Sequence, residues 1–327
     1  MRCRNIVATV CSALPAALIT FAVSYSTASA QYPERLIRAI VPFAPGGSND
    51  GMARLISPEI AKALGQPVIV ENRPGAAGNI GIDVVAKSPP TGYTILYSAT
   101  ASTQNPALFR RLPYDPLRDI QPVAEIGQAP YVVLVNPRVP ARTVQELVNL
   151  ARKNPGKLNA AAGGIGTRLS SELFQIQNKL KLEIIPYNGT GPAALAVLTG
   201  ESDFGIMDAS PVLGQLAAGK IRALAVAGEK RLKSFPDVPI MAEAGFPDFK
   251  AGALFGVYVA AGTPADIVQT LNATINRIIS VPAMGQRLRE LGAEPNPKSV
   301  DEFSALYRKE IGKWKAIVKQ ANIATID

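Results

Sequence analysis

The chain repeatedly couples a short apolar, β-branched run to a helix-forming segment, and the joint between them is glycine-rich. Leu36 to Phe43 (LIRAIVPF) reads as a strand, Pro45-Gly46-Gly47-Ser48-Asn49 as the joint, and the segment to Leu64 as a helix. Val68 to Glu71 is a second strand; Gly75 to Gly81 leads into a helix through Lys87, and Tyr93 to Ser98 is a third strand. Val123 to Ile126 and Tyr131 to Val135 read as further strands, and Thr143-x-x-Glu146 is a capping box opening a helix to Lys153. Leu158 to Ala161 is a strand, Gly163 to Thr167 a glycine-rich turn, and Arg168 to Lys179 a helix. Glu183 to Pro186 is followed by Asn188-Gly189-Thr190, which caps a helix to Leu198 with Pro192 in its first turn. Phe204 to Met207, a helix from Ser210-Pro211 to Ala218 and Arg222 to Val226 complete the pattern. Such alternation predicts an α/β fold with mostly parallel sheets flanked by helices. After Leu254 to Ala260 the chain turns helical: Pro264 to Ile279, Ala283 to Leu291, and a helix from the capping box Ser299-x-x-Glu302 to about Lys319. A helical tail of this kind can pack back across an earlier domain.

The 327 residues predict about two domains at roughly 100–200 residues each. The absence of histidine removes the Ser-His-Asp triad and His-ligated zinc. The first thirty residues read as an export signal: Arg2 and Arg4, then an apolar run from Ile6 to Val23, then Ala28-Ser29-Ala30. Cleavage is expected after Ala30, leaving Gln31 as the new N-terminus and the protein in the periplasm. Val10 before Cys11 does not suit a lipid-anchor signal. Cys3 and Cys11 both lie in the signal, so the mature chain is expected to carry neither disulfide nor thiol. Only Arg2 and Arg4 of the charged residues are lost, which lowers the net charge of +9 by two. The densest basic cluster is Lys230-Arg231-Lys233, too sparse for a nucleic-acid footprint. No other stretch is long and apolar enough to span a bilayer.

In open parallel sheets a ligand sits beyond the carboxyl ends of the strands, at helix N-termini, where N–H groups are unpaired and the helix dipole is positive. The joints at Pro45–Asp50, Gly75–Gly81, Gly163–Thr167, Tyr187–Thr190 and Asp208–Ser210 are polar, and glycine lets a backbone approach a ligand closely. Two such joints facing each other make an anion clamp without a cationic side chain. Taken singly, each glycine run reads better as a tight turn than as a ligand cradle; recurrence at joint after joint is what favours binding. Gly75 to Gly81 is not G-x-G-x-x-G, and Gly164-Ile165-Gly166-Thr167 lacks the lysine of a P-loop. Asp50, Glu71, Asp83 and Asp208 show no spacing that pairs them for acid–base work, and no G-x-S-x-G or S-x-x-K is present. The sequence therefore gives no catalytic signal.

Pro42-Phe43-x-Pro45-Gly46-Gly47-Ser48-Asn49-Asp50, Glu71-Asn72-Arg73-Pro74-Gly75-x-x-Gly78-Asn79-Ile80-Gly81 and Gly92-Tyr93-Thr94 resemble the substrate-binding proteins of tripartite tricarboxylate transporters, the Bug receptors. The resemblance continues through Leu112-Pro113-Tyr114-Asp115-Pro116, Asn154 to Asn159, Pro186-Tyr187-Asn188-Gly189, Gly219 to Val226, Pro236-Asp237-Val238-Pro239 and Gly262-Thr263-Pro264. It implies a two-lobed periplasmic binding protein of type II, a Venus flytrap, with residues 31–128 and 254–327 in one lobe and 129–253 in the other. It also implies a monomer that binds a small carboxylate, uses no cofactor or metal, and delivers its ligand to membrane transporter subunits. Carried over by position, the first-lobe ligand residues are Phe43, Pro45, Gly46, Gly47, Ser48 and Asp50, supported by Ser98 and Thr100. The second-lobe residues are Gly164, Gly166, Thr167, Tyr187 and Asp208. Ala161 and Ala162 stand where members often carry serines, and Arg168-Leu169-Ser170-Ser171 follows where many carry a histidine. Two readings of Arg168 stay open. It reaches solvent or pairs with Glu172 four residues on, or its guanidinium takes a carboxylate in the cleft. A sensor presenting its closed state to a signalling partner, or an enzyme in the same cleft, would look alike in sequence.

Overall fold

The alternation of strand and helix resolves into two sheets, each flanked by helices, in a computed structural model that describes residues 32–326. The export signal and Gln31 lie outside the described residues. Along the chain come β1 (Ile37–Val41), α1 (Ser48–Leu64), β2 (Val68–Asn72), α2 (Asn79–Ala86), β3 (Thr94–Ser98), α3 (Ala101–Leu108) and β4 (Ile120–Pro130). Then follow β5 (Val132–Val135), α4 (Val144–Lys153), β6 (Asn159–Ala162), α5 (Ile165–Gln177), β7 (Glu183–Pro186), α6 (Thr190–Thr199), β8 (Phe204–Met207), α7 (Leu213–Ala217) and β9 (Arg222–Val226). β10 (Gly252–Ala260), α8 (Ala265–Ser280), α9 (Pro282–Glu290), β11 (Glu294–Pro295) and α10 (Val300–Gln320) close the order.

The first sheet has the order β11-β4-β10-β3-β1-β2 and the second β7-β6-β8-β5-β9. β1 pairs in parallel with β2 and β3, and β6 with β7 and β8, as βα units require. The returning strands run the other way. β10 is antiparallel to β3 and β4, and β5 is antiparallel to β8 and β9, so both sheets are mixed. The chain leaves the first sheet between β4 and β5 and re-enters it between β9 and β10. Tyr131 stands at the first crossing, where its N–H donates to Ala251 O (2.9 Å) and its carbonyl accepts from Ala227 N–H (2.7 Å). The two crossings are thus tied together by backbone hydrogen bonds.

Local chemistry explains the elements that frame the site. α1 buries Met52, Ala53, Ile56 and Ile60 at helical spacing and stops at Gly65, whose φ of 72° closes the last turn in the left-handed region. α10 opens on the reciprocal capping box of Ser299 and Glu302. It lies across α3 and β4, burying Phe303, Tyr307, Ile311 and Trp314. The Tyr307 hydroxyl donates at 3.1 Å to Ser102 O and is 3.1 Å from Pro116 O. At Thr143 the box is one-sided: its hydroxyl accepts from Glu146 N–H, while the Glu146 carboxylate takes Arg142 N–H instead of Thr143 N–H.

Two elements differ from expectation. α3 has no apolar period, because its run Ala-Ser-Thr-Gln-Asn-Pro-Ala-Leu is largely polar; yet Ser102, Thr103, Gln104 and Asn105 are buried there between α5, α10 and the cleft. α5 begins at Ile165, not Arg168, so the glycine-rich turn supplies its cap and first turn.

Candidate functional site

Four helix N-termini meet at one cavity between the sheets. Gly47 and Ser48 open α1, Thr100 and Ala101 open α3, Gly164 and Ile165 open α5, and Thr190 opens α6; all line it. None of the four N-caps, Gly47, Thr100, Gly164 and Gly189, makes a side-chain capping hydrogen bond. First-turn N–H groups and four positive dipole ends therefore converge on the same space, an arrangement that attracts an anion.

The glycines are there because the loops pass close to each other. Gly164 has φ 150°, and a Cβ on it would lie 3.2 Å from the Phe43 ring. A Cβ on Gly191 would lie 2.9 Å from Gly46 backbone atoms across the cleft. The contacts that close the loops are polar: Ala44 N–H donates to Asn188 O (3.0 Å), Ser48 N–H donates to the Thr190 hydroxyl (3.2 Å), and the Ser48 and Thr190 hydroxyls share a hydrogen bond of 2.9 Å. The Ser48 hydroxyl also donates to Asp208. These contacts leave a cavity of about 30 Å³, room for roughly two waters.

Asp208, at the carboxyl end of β8, is 3% exposed and accepts from the Ser48 and Ser210 hydroxyls, the latter at 2.8 Å. Burial pushes its carboxyl above the usual range, and the two hydroxyls partly offset this. The Tyr131 hydroxyl hydrogen-bonds Thr100, and burial pushes this phenol up as well. Among the described residues no lysine or arginine lines the cavity, and no group of three or more His, Cys, Asp or Glu is gathered as for a metal ion.

Of the residues singled out from sequence, Phe43, Gly47, Ser48, Thr100, Gly164, Gly166, Thr167 and Asp208 line the cavity. Six do not. Pro45 and Gly46 are exposed, and the Gly46 N–H is taken by Asp50 (3.0 Å). Asp50 faces its own loop: it also accepts from Arg54 (3.0 Å) and Asn72 (3.0 Å), and Asn72 in turn holds Phe43 O (3.0 Å). Burial raises the Asp50 carboxyl, but the Arg54, Gly46 and Asn72 hydrogen bonds outweigh it and hold the group below its ordinary value. Ser98 is buried beneath the site and donates to Ala99 O. The Tyr187 hydroxyl is bound to Glu201 (3.0 Å) and Ser202 (3.2 Å). Arg168 sits one turn into α5, off the cavity lining, with its guanidinium 3.8 Å from Glu172.

Sequence reasoning missed Tyr131, at the crossing between β4 and β5, and Ala253 and Phe255, in β10. Asn49 and Thr190 also line the cavity; both stood in joints already marked as polar, so chain position could have found them.

The profile of the tripartite tricarboxylate transporter family receptor matches residues 52–323. Protein BugT of Bordetella pertussis is 36% identical over 293 residues, covering 88% of this chain and 90% of that one. Among solved structures, Rpa4515 of R. palustris with adipate superposes with a TM-score of 0.87 at 33% identity, over 90% of this chain and all of that one. MatC of Rhodopseudomonas palustris with bound malate gives 0.84 at 34% identity, over 88% of this chain and 100% of its own. These matches run through both sheets, and the chain belongs to the tripartite tricarboxylate transporter receptor family.

Proposed function

We propose that the protein is a periplasmic receptor that captures a small carboxylate between its two lobes and delivers it to a tripartite-tricarboxylate-type membrane transporter. The observation that carries this reading is the convergence of four helix N-termini, none capped by its own N-cap side chain, on one cavity. The adipate and malate held by the two R. palustris relatives support a carboxylate as the ligand class. Phe43, Gly47, Ser48, Thr100, Gly164, Gly166, Thr167 and Asp208 form the binding surface, with Asn49, Tyr131 and Thr190 added to it. Arg168, Tyr187, Ser98, Pro45, Gly46 and Asp50 act outside it, Asp50 by shaping the first loop.

The ligand enters when the loop 43–50 parts from residues 188–191. The Thr190 hydroxyl that now takes Ser48 N–H then gives way to the ligand carboxylate, because a charged acceptor makes the stronger hydrogen bond. The lobes are taken as residues 31–128 with 254–327, and 129–253. The crossings after Pro130 and before Gly252 support these bounds to within a few residues.

A thermal-shift screen of carboxylates tests the reading. A true ligand at about 100 times its Kd adds about 2.7 kcal/mol of stability. Failure of every small carboxylate to stabilise the protein overturns it. Ligand uptake by vesicles carrying the transporter subunits, with and without the receptor, tests delivery.

A further inference from the structure

The cavity that attracts an anion through its backbone contains one carboxylate of its own. Asp208 is almost wholly buried, and among the described residues no cationic side chain lines the cavity to balance it. The nearest candidate from the sequence, Arg168, is engaged with Glu172. Asp208 is instead held by hydroxyl donors, Ser48 from the first lobe and Ser210 from the second, both reaching Oδ1. Burial disfavours its ionised form, and the two hydroxyl donors offset this only in part. A buried ionised carboxylate without a cation is costly, and the cost falls when a ligand brings a donor or a positive charge.

A neighbouring side chain adds an unpaired acceptor. The Asn49 side-chain oxygen is buried with no hydrogen-bond partner, and Asn49 lines the cavity beside Ser48. The helix N-termini thus offer donors, while Asp208 and the Asn49 side-chain oxygen offer acceptors. An unsubstituted dicarboxylate satisfies the first and meets repulsion at the second. A carboxylate bearing an ammonium or hydroxyl group satisfies both.

We propose that Asp208 is the specificity-determining residue of this receptor, selecting carboxylates that carry an ammonium or hydroxyl donor, amino acids or hydroxy acids, over their unsubstituted counterparts. The proposal rests on the carboxylate-receptor reading above and narrows it to a ligand class. The Ser48 hydroxyl on Asp208 holds the place that the ligand donor takes.

The test is calorimetry of the mature protein with sets of acids matched in skeleton: succinate, malate and aspartate; propionate, lactate and alanine; phenylacetate, mandelate and phenylglycine. In the tightest-binding set, the donor-bearing acids are expected to bind about tenfold or more tighter than the unsubstituted one, the ratio set by a hydrogen bond to a charged group. Asp208→Asn keeps an oxygen for Ser48 and Ser210 but removes the charge. It is expected to shrink the advantage of the amino acid to within about threefold and to strengthen the unsubstituted acid. Equal or tighter binding of the unsubstituted acid by the wild-type protein overturns the proposal while leaving the carboxylate reading intact, and does so even if Asp208→Asn fails to fold. An unchanged preference in folded Asp208→Asn also overturns it. Absence of binding by all nine acids overturns the carboxylate reading for these skeletons and the proposal with it.

Discussion

Asp50 in the first turn of α1 and Asp208 at the carboxyl end of β8 are both buried, and their surroundings give them opposite tasks. Asp50 has Arg54 beside it and spends its oxygens on Gly46, Asn72 and Arg54, so it fixes the shape of the first loop. Asp208 has no cation and faces the cavity. Arg168 illustrates how far one residue's role depends on where its helix starts. With Ile165 as the first helical residue, Arg168 lies where Glu172 can reach it, one turn further on. Arg168→Ala is therefore expected to leave ligand affinity unchanged and to alter stability by no more than about 1 kcal/mol, since a partly exposed pair 3.8 Å apart contributes little. Titration calorimetry checks the first, urea unfolding the second. Gly191 is the contrasting case. A methyl group there meets the Gly46 backbone across the cleft, so Gly191→Ala should hold the loops apart. We expect about 1–3 kcal/mol of lost affinity, in the range of an overpacking penalty, with an unchanged circular dichroism spectrum. Wild-type affinity would mean that the loops do not close on the ligand in this register.

At the scale of elements, the proposed function gives the binding to helix starts, and strand ends place them. β1 carries the loop into α1, and its partner β2 anchors it from the edge of the sheet. Arg38 on β1 grips Glu71 on β2 with two bonds of 2.8 Å, and Arg73 adds a third at 3.2 Å. The Arg38 hydrogen bonds hold the Glu71 carboxyl down to about 2, against the modest upward push of burial. A carboxyl depressed on folding stabilises the native state above its ordinary value of 4.5, and that stability is lost as pH falls towards about 2. Glu71→Gln should therefore flatten the pH dependence of unfolding across that window, as urea titrations at stepped pH would record. A curve as steep as that of the wild type would locate the acid sensitivity elsewhere.

At the scale of the molecule, the two sheets share one continuous chain path that crosses between them twice, and the backbone bonds of Tyr131 with Ala227 and Ala251 tie the crossings together. Among the described residues no helix is long and apolar enough to cross a membrane. The export reading makes its own prediction: protein recovered from the periplasm should begin at Gln31, with an intact mass lacking residues 1–30 and any acyl chain. Retention of Met1 would refute processing after Ala30.

The local pattern determined the architecture, and the reason is short-range chemistry. β-branched runs, capping residues and glycine joints act within a few neighbours, so the βα units, the end of α1 near Leu64 and the Ser299 box were legible without coordinates. The same joints pointed to the loops around Gly47, Gly164 and Thr190. Tertiary structure decided what no neighbour encodes. It made the sheets mixed, because β5 and β10 are placed by partners far along the chain. It folded the polar run of α3 into a helix, because α5, α10 and the cleft bury it from several sides. It brought Tyr131, from the crossing after β4, and Phe255, from β10, to the cavity without any binding signal in their neighbours. And it turned Asp50 to its own loop while leaving Asp208 facing the cavity, because the charge balance of a buried carboxylate depends on which cations the fold brings within reach.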